Sequence, residues 1–324
     1  MKVCIVGAGA IGGLLAARLS KAECDVSAIA RGPHLDAIRK NGLRYRGCGD
    51  EFVVHIEASD NPADLGPHDF VVLTVKAPSL PGIAASLPAL CHDDTSIVSA
   101  MNGVPWWFSR ALPSPLKGRT LHAVDPGGAL IAAFPQDPVL GCVVHAGSSV
   151  PEAGVIDHSA GNYFIVGSSD RKASPEAKIF AKALTRSGLN GVVSDDIQTE
   201  IWMKLIGNMA MGAISVLTGA TLAGIARDGA VRAIAAAMMQ EAMDVGDALS
   251  LPMSMGVEAR IDLGAELGEF KPSILQDLEF GRPMEIDTLV TVVVELGEIA
   301  GVSTPTINTL LALLRGRARL AGLY

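Results

Sequence analysis

The residues that follow the first apolar run constrain this chain more than any others. Gly7-Ala8-Gly9-Ala10-Ile11-Gly12 comes directly after KVCIV and opens a segment, AIGGLLAARLSKA, with helical spacing. A G-x-G-x-x-G pattern means little alone. Between a strand and a helix it has a physical reading: Gly7 makes the tight turn, Gly9 lets a pyrophosphate approach the backbone, and Gly12 lets helix and strand pack closely. Amide groups left over at the helix start, those of Ala10 and Ile11 among them, then hold phosphate oxygens. The chain is therefore expected to begin with a dinucleotide-binding β-α-β unit.

Apolar runs of strand length, rich in Val and Ile, recur at 2–7, 25–30, 69–75 and 95–101. Continuous apolar strands alternating with helices predict a parallel sheet covered on both faces. Between 139 and 167 the runs VLGCVVHAG, AGVIDHSA and NYFIVGS read as three short antiparallel strands extending the sheet's edge. SPEAKIFAKALTRSG (174–188) then reads as a helix, with Ser and Pro at its cap and first turn. Past about residue 194 the strand signal stops, and helical period continues to 319. Breaks are expected between Gly224 and Gly229, at LSLPMSMG and at EFGRP. The expected class is α/β: a Rossmann-type parallel-sheet domain with an antiparallel extension over 1–193, followed by an all-α domain over 194–324.

Composition removes several functions. The 34 acidic and 26 basic residues leave a net charge of −8, spread along the chain. A nucleic-acid partner would need a basic face, so none is expected. Cys4, Cys24, Cys48, Cys91 and Cys142 are odd in number and lack ligand spacing. Neither a disulfide framework nor a metal site is indicated, and the thiols suit a reducing cytoplasm. The N-terminus reads as a strand entering a glycine turn, not as a signal peptide. LIGNMAMGAISVLTGATLAGIA (205–226) is uncharged over the length of a membrane span. Gly, Asn, Ser and Thr interrupt it and charged amphipathic segments flank it, so a buried helix is expected and no membrane partner. A small-molecule substrate remains.

The second strand ends in AIARGPH, with Arg31 where an NAD enzyme would place a carboxylate for the ribose hydroxyls. A guanidinium suits a 2′-phosphate, which predicts NADP(H) rather than NAD(H). Open α/β sheets bind ligands at the carboxyl ends of their strands. Lys76 in VLTVKAPS and Asn102 in SAMNGVPWWF lie at two such ends. In IWMKLIGNMAMG, Lys204 and Asn208 are four residues apart in an apolar segment, hence on one helix face.

The order and spacing of GAGAIG, VKA, NG, IWMKLIGN, PSILQDLEFGRPMEID and GVSTPTINTLLALL span essentially the whole chain. Together they resemble the ketopantoate reductase (2-dehydropantoate 2-reductase) family. The resemblance implies a Rossmann domain, a helical domain and a cleft between them. It also implies NADPH-dependent reduction of a 2-oxo acid to a D-2-hydroxy acid, typically ketopantoate to pantoate. By position it implies a general acid at Lys204 with Asn208 beside it, a ligand for the substrate hydroxyl at Glu285, and a residue near the substrate carboxylate at Ser273. Asn102 and Lys76 match positions lining the nicotinamide side.

Elementary chemistry agrees. Hydride addition to a ketone leaves negative charge on oxygen, and an ammonium on an apolar helix supplies both field and proton. Glu285, two residues after Pro283, is expected in the first turn of a helix. Gly212 stands where the family often has a second asparagine, which removes a polar contact or widens the pocket. Trp106 and Trp107 either wall that pocket or pack in the core. Two other readings stay open, the first motivated by these departures. One is a D-2-hydroxyacid dehydrogenase of the same superfamily, acting on other branched or aromatic 2-oxo acids. The other is a non-catalytic NADP(H)-binding sensor. The apolar C-terminal helices also offer a surface for a homodimer.

Overall fold

The computed structural model describes residues 1–134 and 139–324, which cluster into two units: 1–101 with 129–197, and 102–128 with 198–324. In the first unit the chain runs β1 (Lys2–Val6), α1 (Ala10–Lys21), β2 (Asp25–Ile29), α2 (Gly32–Asn41), β3 (Leu43–Gly47), β4 (Asp50–Val54) and β5 (Glu57–Ser59). It continues through β6 (Phe70–Leu73), α3 (Pro81–Ala84) and β7 (Ser96–Ser99). After residue 128 it returns with α4 (Ala129–Ala133), β8 (Leu140–Ser149), β9 (Val155–Ser168), α5 (Pro175–Arg186) and β10 (Asn190–Val193).

The strands form one mixed sheet in the order β4-β3-β9-β8-β7-β6-β1-β2-β5, with β10 also paired to β9. Strands β5, β2, β1, β6, β7 and β8 are parallel neighbours. β1 is apolar throughout because it lies inside this sheet with α1 packed over it: Val3, Ile5, Leu14, Leu15 and Leu19 are all fully buried. α5 starts at the expected cap, where Ser174 Oγ accepts from the Ala177 amide at 3.0 Å.

The antiparallel extension differs from three short strands. AGVIDHSA and NYFIVGS join into the single fourteen-residue β9, which runs antiparallel to β8. Gly161, at φ +66°, and a register shift between His145 and Gly147 absorb the irregularity that separates the two runs. The β3–β4 hairpin closes through Cys48 and Gly49, both with positive φ (52° and 81°), the backbone that a two-residue hairpin turn demands.

The second unit holds α6 (Ile197–Thr218), α7 (Leu222–Arg227), α8 (Gly229–Ala248), α9 (Val257–Ala265), α10 (Ser273–Glu279), α11 (Val292–Ala300) and α12 (Pro305–Leu320). A π-helical turn over Asp287–Thr291 runs into α11. Residues 102–128 pack with these helices: the Phe108 ring lies 6.2 Å from Trp202, and the His122 and Ala123 amides donate to Glu295 at 2.7 and 2.8 Å. The uncharged stretch 205–226 is two helices, not one. α6 ends at Thr218, Gly219 turns at φ +74°, and Thr221 caps α7 by accepting from the Gly224 amide at 3.2 Å. Of the most apolar eighteen-residue window in α6, 72% is buried, as a core helix requires. The breaks around α7 therefore fall at 219–221 and at Asp228, whose Oδ1 accepts from the Ala230 and Val231 amides, while Gly224 lies inside α7. Gly219 in the left-handed region ends α6, and side-chain caps start α7 and α8.

Candidate active site

In the first unit a cleft of about 570 Å³ opens at the carboxyl ends of β1 and β2, with Gly7, Gly9, Arg31, His34 and Asp60 among its walls. Its three motif glycines have different reasons to be glycine. Gly7 sits at φ +102°, and a Cβ there would meet the Val75 side chain at 2.6 Å. A Cβ on Gly12 would fall on the Gly7 carbonyl oxygen and on Thr74 Oγ1, which itself donates to that carbonyl at 2.8 Å. Around Gly9 nothing lies within 4 Å of a Cβ position. Protein packing thus accounts for Gly7 and Gly12, whereas Gly9, the N-cap of α1, leaves the cleft open at that point.

The first helical hydrogen bond of α1 runs from the Gly13 amide to the Gly9 carbonyl at 2.6 Å. The amides of Ala10, Ile11 and Gly12 precede it and supply the phosphate donors that a dinucleotide requires. These residues and cleft dimensions fit such a cofactor. The Ala8 amide is already committed to the Ile29 carbonyl at 3.2 Å.

Arg31 is exposed on the cleft wall as the residue that precedes α2. Asp60, one residue past β5, lines the same cleft. Sequence spacing missed this carboxylate because it arrives from a neighbouring strand rather than from the end of β2. His34 was missed as well. Its Nδ1 accepts from the Gly154 amide at 3.0 Å, so its Nε2 carries the proton and donates to the Ala8 carbonyl at 2.7 Å. It ties the glycine turn to the β8–β9 connection. Lys76 is partly buried at the start of a single 3-10 turn, Ala77–Ser79, after β6, and it is not among the residues lining the cleft.

The second candidate cluster is in the helical unit. From Ile201 to Val216 every residue of α6 is buried except Met203, Lys204 and Asn208. The Lys204 ammonium donates to Asn102 Oδ1 at 2.9 Å. Asn102 is held in place by the glycine after it. Gly103 has φ +80°, a Cβ there would lie 2.8 Å from the Thr288 carbonyl carbon, and the Val104 amide donates to the Thr288 carbonyl at 2.9 Å. Asn208 follows Lys204 by one turn and has no hydrogen-bond partner among the described residues.

Glu285 is 7% exposed. It stands immediately before the helix that starts at Ile286, not in its first turn; the irregular stretch after Gly281 runs through it into the π turn. π turns recur at functional sites. Ser273 opens α10 with an exposed side chain.

Comparison with known proteins decides the family. The family described as "Ketopantoate reductase PanE/ApbA" matches residues 3–109, and its C-terminal counterpart matches residues 196–318. The 2-dehydropantoate 2-reductase of Mesorhizobium japonicum is 45% identical over the full length of both chains. The chain belongs to the ketopantoate reductase family. A solved structure of a Ralstonia solanacearum MolK2 protein classed with the ketopantoate reductases superposes with TM-score 0.94 at 44% identity, covering 99% of each chain. At 20% identity, D-mandelate dehydrogenase in complex with NADH and anilino(oxo)acetate shares the fold, with TM-score 0.85 and full coverage of both chains.

Within a ketopantoate reductase framework the departures acquire physical content. Gly212 does not widen anything: a Cβ there would lie 2.9 Å from Ile274 Cγ2, so α10 closes onto α6 at that point with an apolar methyl. Trp106 and Trp107 are 2% and 0% exposed and belong to the core. Lys271 is exposed and pairs with Glu279 at 2.6 Å. Thr288 Oγ1 is a buried hydroxyl without a hydrogen-bond partner among the described residues, one turn beyond Glu285. A threonine in an apolar run carries no sequence signal that would have singled it out.

Proposed function

We propose that this chain is a cytoplasmic, NADPH-dependent reductase that converts a 2-oxo acid, ketopantoate first among the candidates, into the D-2-hydroxy acid pantoate. The observation that carries the reading is the Lys204–Asn102 hydrogen bond at 2.9 Å on the one partly open stripe of an otherwise buried helix. When bound, NADPH supplies the hydride. As the keto carbon becomes tetrahedral, its oxygen gains negative charge, and Lys204 Nζ gives that oxygen a proton and is left as an amine that solvent reprotonates. Asn102 Oδ1 occupies one of the three ammonium hydrogens and so fixes where the other two point. Asn208 and Glu285 are assigned to the substrate's polar groups, and Ser273 to its carboxylate. The amides of Ala10, Ile11 and Gly12, with Gly7 and Gly9 shaping the turn, hold the pyrophosphate. Lys76 and Asn102 are assigned to the nicotinamide side.

Turnover of purified protein with NADPH against a panel of 2-oxo acids tests this. Ketopantoate should give the highest kcat/KM. A strong preference for phenylpyruvate or 2-ketoisocaproate would instead support a D-2-hydroxyacid dehydrogenase, the reading favoured by the apolar Ile274 methyl beside Gly212. Absence of any NADPH oxidation would leave a cofactor-binding sensor. A homodimer is assigned as the assembly, to be read by light scattering.

Cofactor choice gives a separate prediction. Arg31→Ala should lower kcat/KM for NADPH by about 10–100-fold, the worth of a charge-assisted phosphate contact, while NADH is little affected. If the unmodified protein uses both cofactors equally, Arg31 has no such role. If it prefers NADH, Asp60 on the same cleft is the group to examine.

A further inference from the structure

α9 carries three charged residues in a row of alternate positions, Glu258, Arg260 and Asp262, and they are not used alike. Glu258 and Asp262 share one face and both pair with Arg232 of α8, at 2.5 and 2.8 Å. Arg260, two residues from each, points away from them. Its face of α9 lies along α6. A Cβ on Gly207 would sit 2.6 Å from the Arg260 Cζ and 3.0 Å from its Nε, and one on Gly264, a turn after Arg260, would sit 3.7 Å from Met211 Cε. Only glycine at 207 lets the guanidinium lie against α6, one turn after Lys204 and next to Asn208.

The Arg260 guanidinium is half-buried and has no hydrogen-bond or ion-pair partner among the described residues. Burial holds its pKa below the ordinary value, with no neighbouring carboxylate to oppose that. A guanidinium stays charged at any physiological pH, so a cation is held in partial burial with no counter-ion among the described residues. Such an arrangement is costly unless an anion completes it.

We propose that Arg260 anchors the carboxylate of the 2-oxo acid, an inference that rests on the reductase reading given above. Gly207 follows Lys204 by three residues and so lies on the neighbouring turn of α6, which puts the guanidinium over Gly207 beside the position from which Lys204 projects. A 2-oxo acid has its keto oxygen and its carboxylate on adjacent carbons. Lys204 takes the first and Arg260 the second, in a two-donor geometry that a serine hydroxyl such as Ser273's does not offer. Arg260 thereby selects 2-oxo acids over neutral ketones.

Steady-state kinetics of Arg260→Met and Arg260→Lys, each with ketopantoate and with its neutral amide, tests the assignment. In Arg260→Met, KM for the acid should rise about 30–100-fold, with kcat changed far less and the NADPH dissociation constant unchanged. The preference for acid over amide should collapse in the Met variant and be partly kept in the Lys variant. Gly207→Ala, which pushes the guanidinium off α6 while keeping Arg260, should raise KM in the same direction and serves if Arg260→Met does not fold. A KM for the acid within threefold of the parent in these variants, or an acid preference that survives Arg260→Met, overturns the anchor and leaves the reductase reading intact. If the parent protein reduces no 2-oxo acid, the reductase reading fails. The anion site is then read by calorimetry with oxamate, whose affinity Arg260→Met must weaken at least tenfold; equal binding, or none to the parent, overturns it.

Discussion

Lys204→Ala is expected to lower kcat by about 10³-fold, within the range that a positioned general acid contributes, while NADPH binds as before. The size follows from what the ammonium does. It acts on charge that exists only as the hydride arrives, so its loss falls on the transition state and not on the ground state. Folding should not obscure the result. Alanine is the best helix former, so α6 should persist, and loss of the hydrogen bond to Asn102 should lower the melting temperature only slightly. Asn102→Ala removes the acceptor at 2.9 Å and with it the orientation of the ammonium, but not the proton, and should cost about tenfold. Single-turnover measurement of NADPH oxidation separates chemistry from release. Turnover of the Lys204 variant close to that of the parent would remove the proton-donor assignment, whatever the substrate turns out to be.

What could be read from the sequence, and what could not, divides along one physical line. Local chemistry was legible. The glycine turn announces its strand and helix because few residues other than glycine survive positive φ at position 7 or contact with a carbonyl oxygen at position 12. Lys204 announces itself because a charge inside an apolar helix needs a reason. Features that depend on which strand or helix comes alongside were not legible. Asp60 reaches the cleft at the ends of β1 and β2 only because β5 pairs with β2. Arg260 looks like one more charge in VEARID until α9 is seen to give its two carboxylates to Arg232. Gly212, which offered a wider pocket, is filled from α10, and Gly207, which carried no sequence signal, is covered from α9. The joining of two runs into β9 belongs to the same class. A single glycine, Gly161, predicts a turn locally, and only pairing along β8 carries the strand through it.

The sharpest test of the cleft compares two glycines three residues apart. In a helix Gly→Ala ordinarily stabilises by about 0.5–1 kcal/mol, so on propensity alone Gly12→Ala should help. At this position the added methyl meets the Gly7 carbonyl oxygen and Thr74 Oγ1, and the carbonyl is backbone of the turn itself. Steric conflict of that kind costs about 1–3 kcal/mol or more and outweighs the propensity gain, so the variant should melt earlier and bind nothing well. Gly9→Val behaves in the opposite manner. A Cβ here finds nothing within 4 Å, and the φ of −68° is ordinary for any residue. The fold should keep its melting temperature within about 3 °C, since a weakened helix cap costs under about 1 kcal/mol. The NADPH dissociation constant should nevertheless rise about 100-fold or more, equivalent to about 2.7 kcal/mol, because the methyls stand where the pyrophosphate must approach. Fluorescence titration beside a thermal melt reads both quantities on one sample. Tight NADPH binding by Gly9→Val would mean that the cleft at the ends of β1 and β2 is not where the cofactor's phosphates lie.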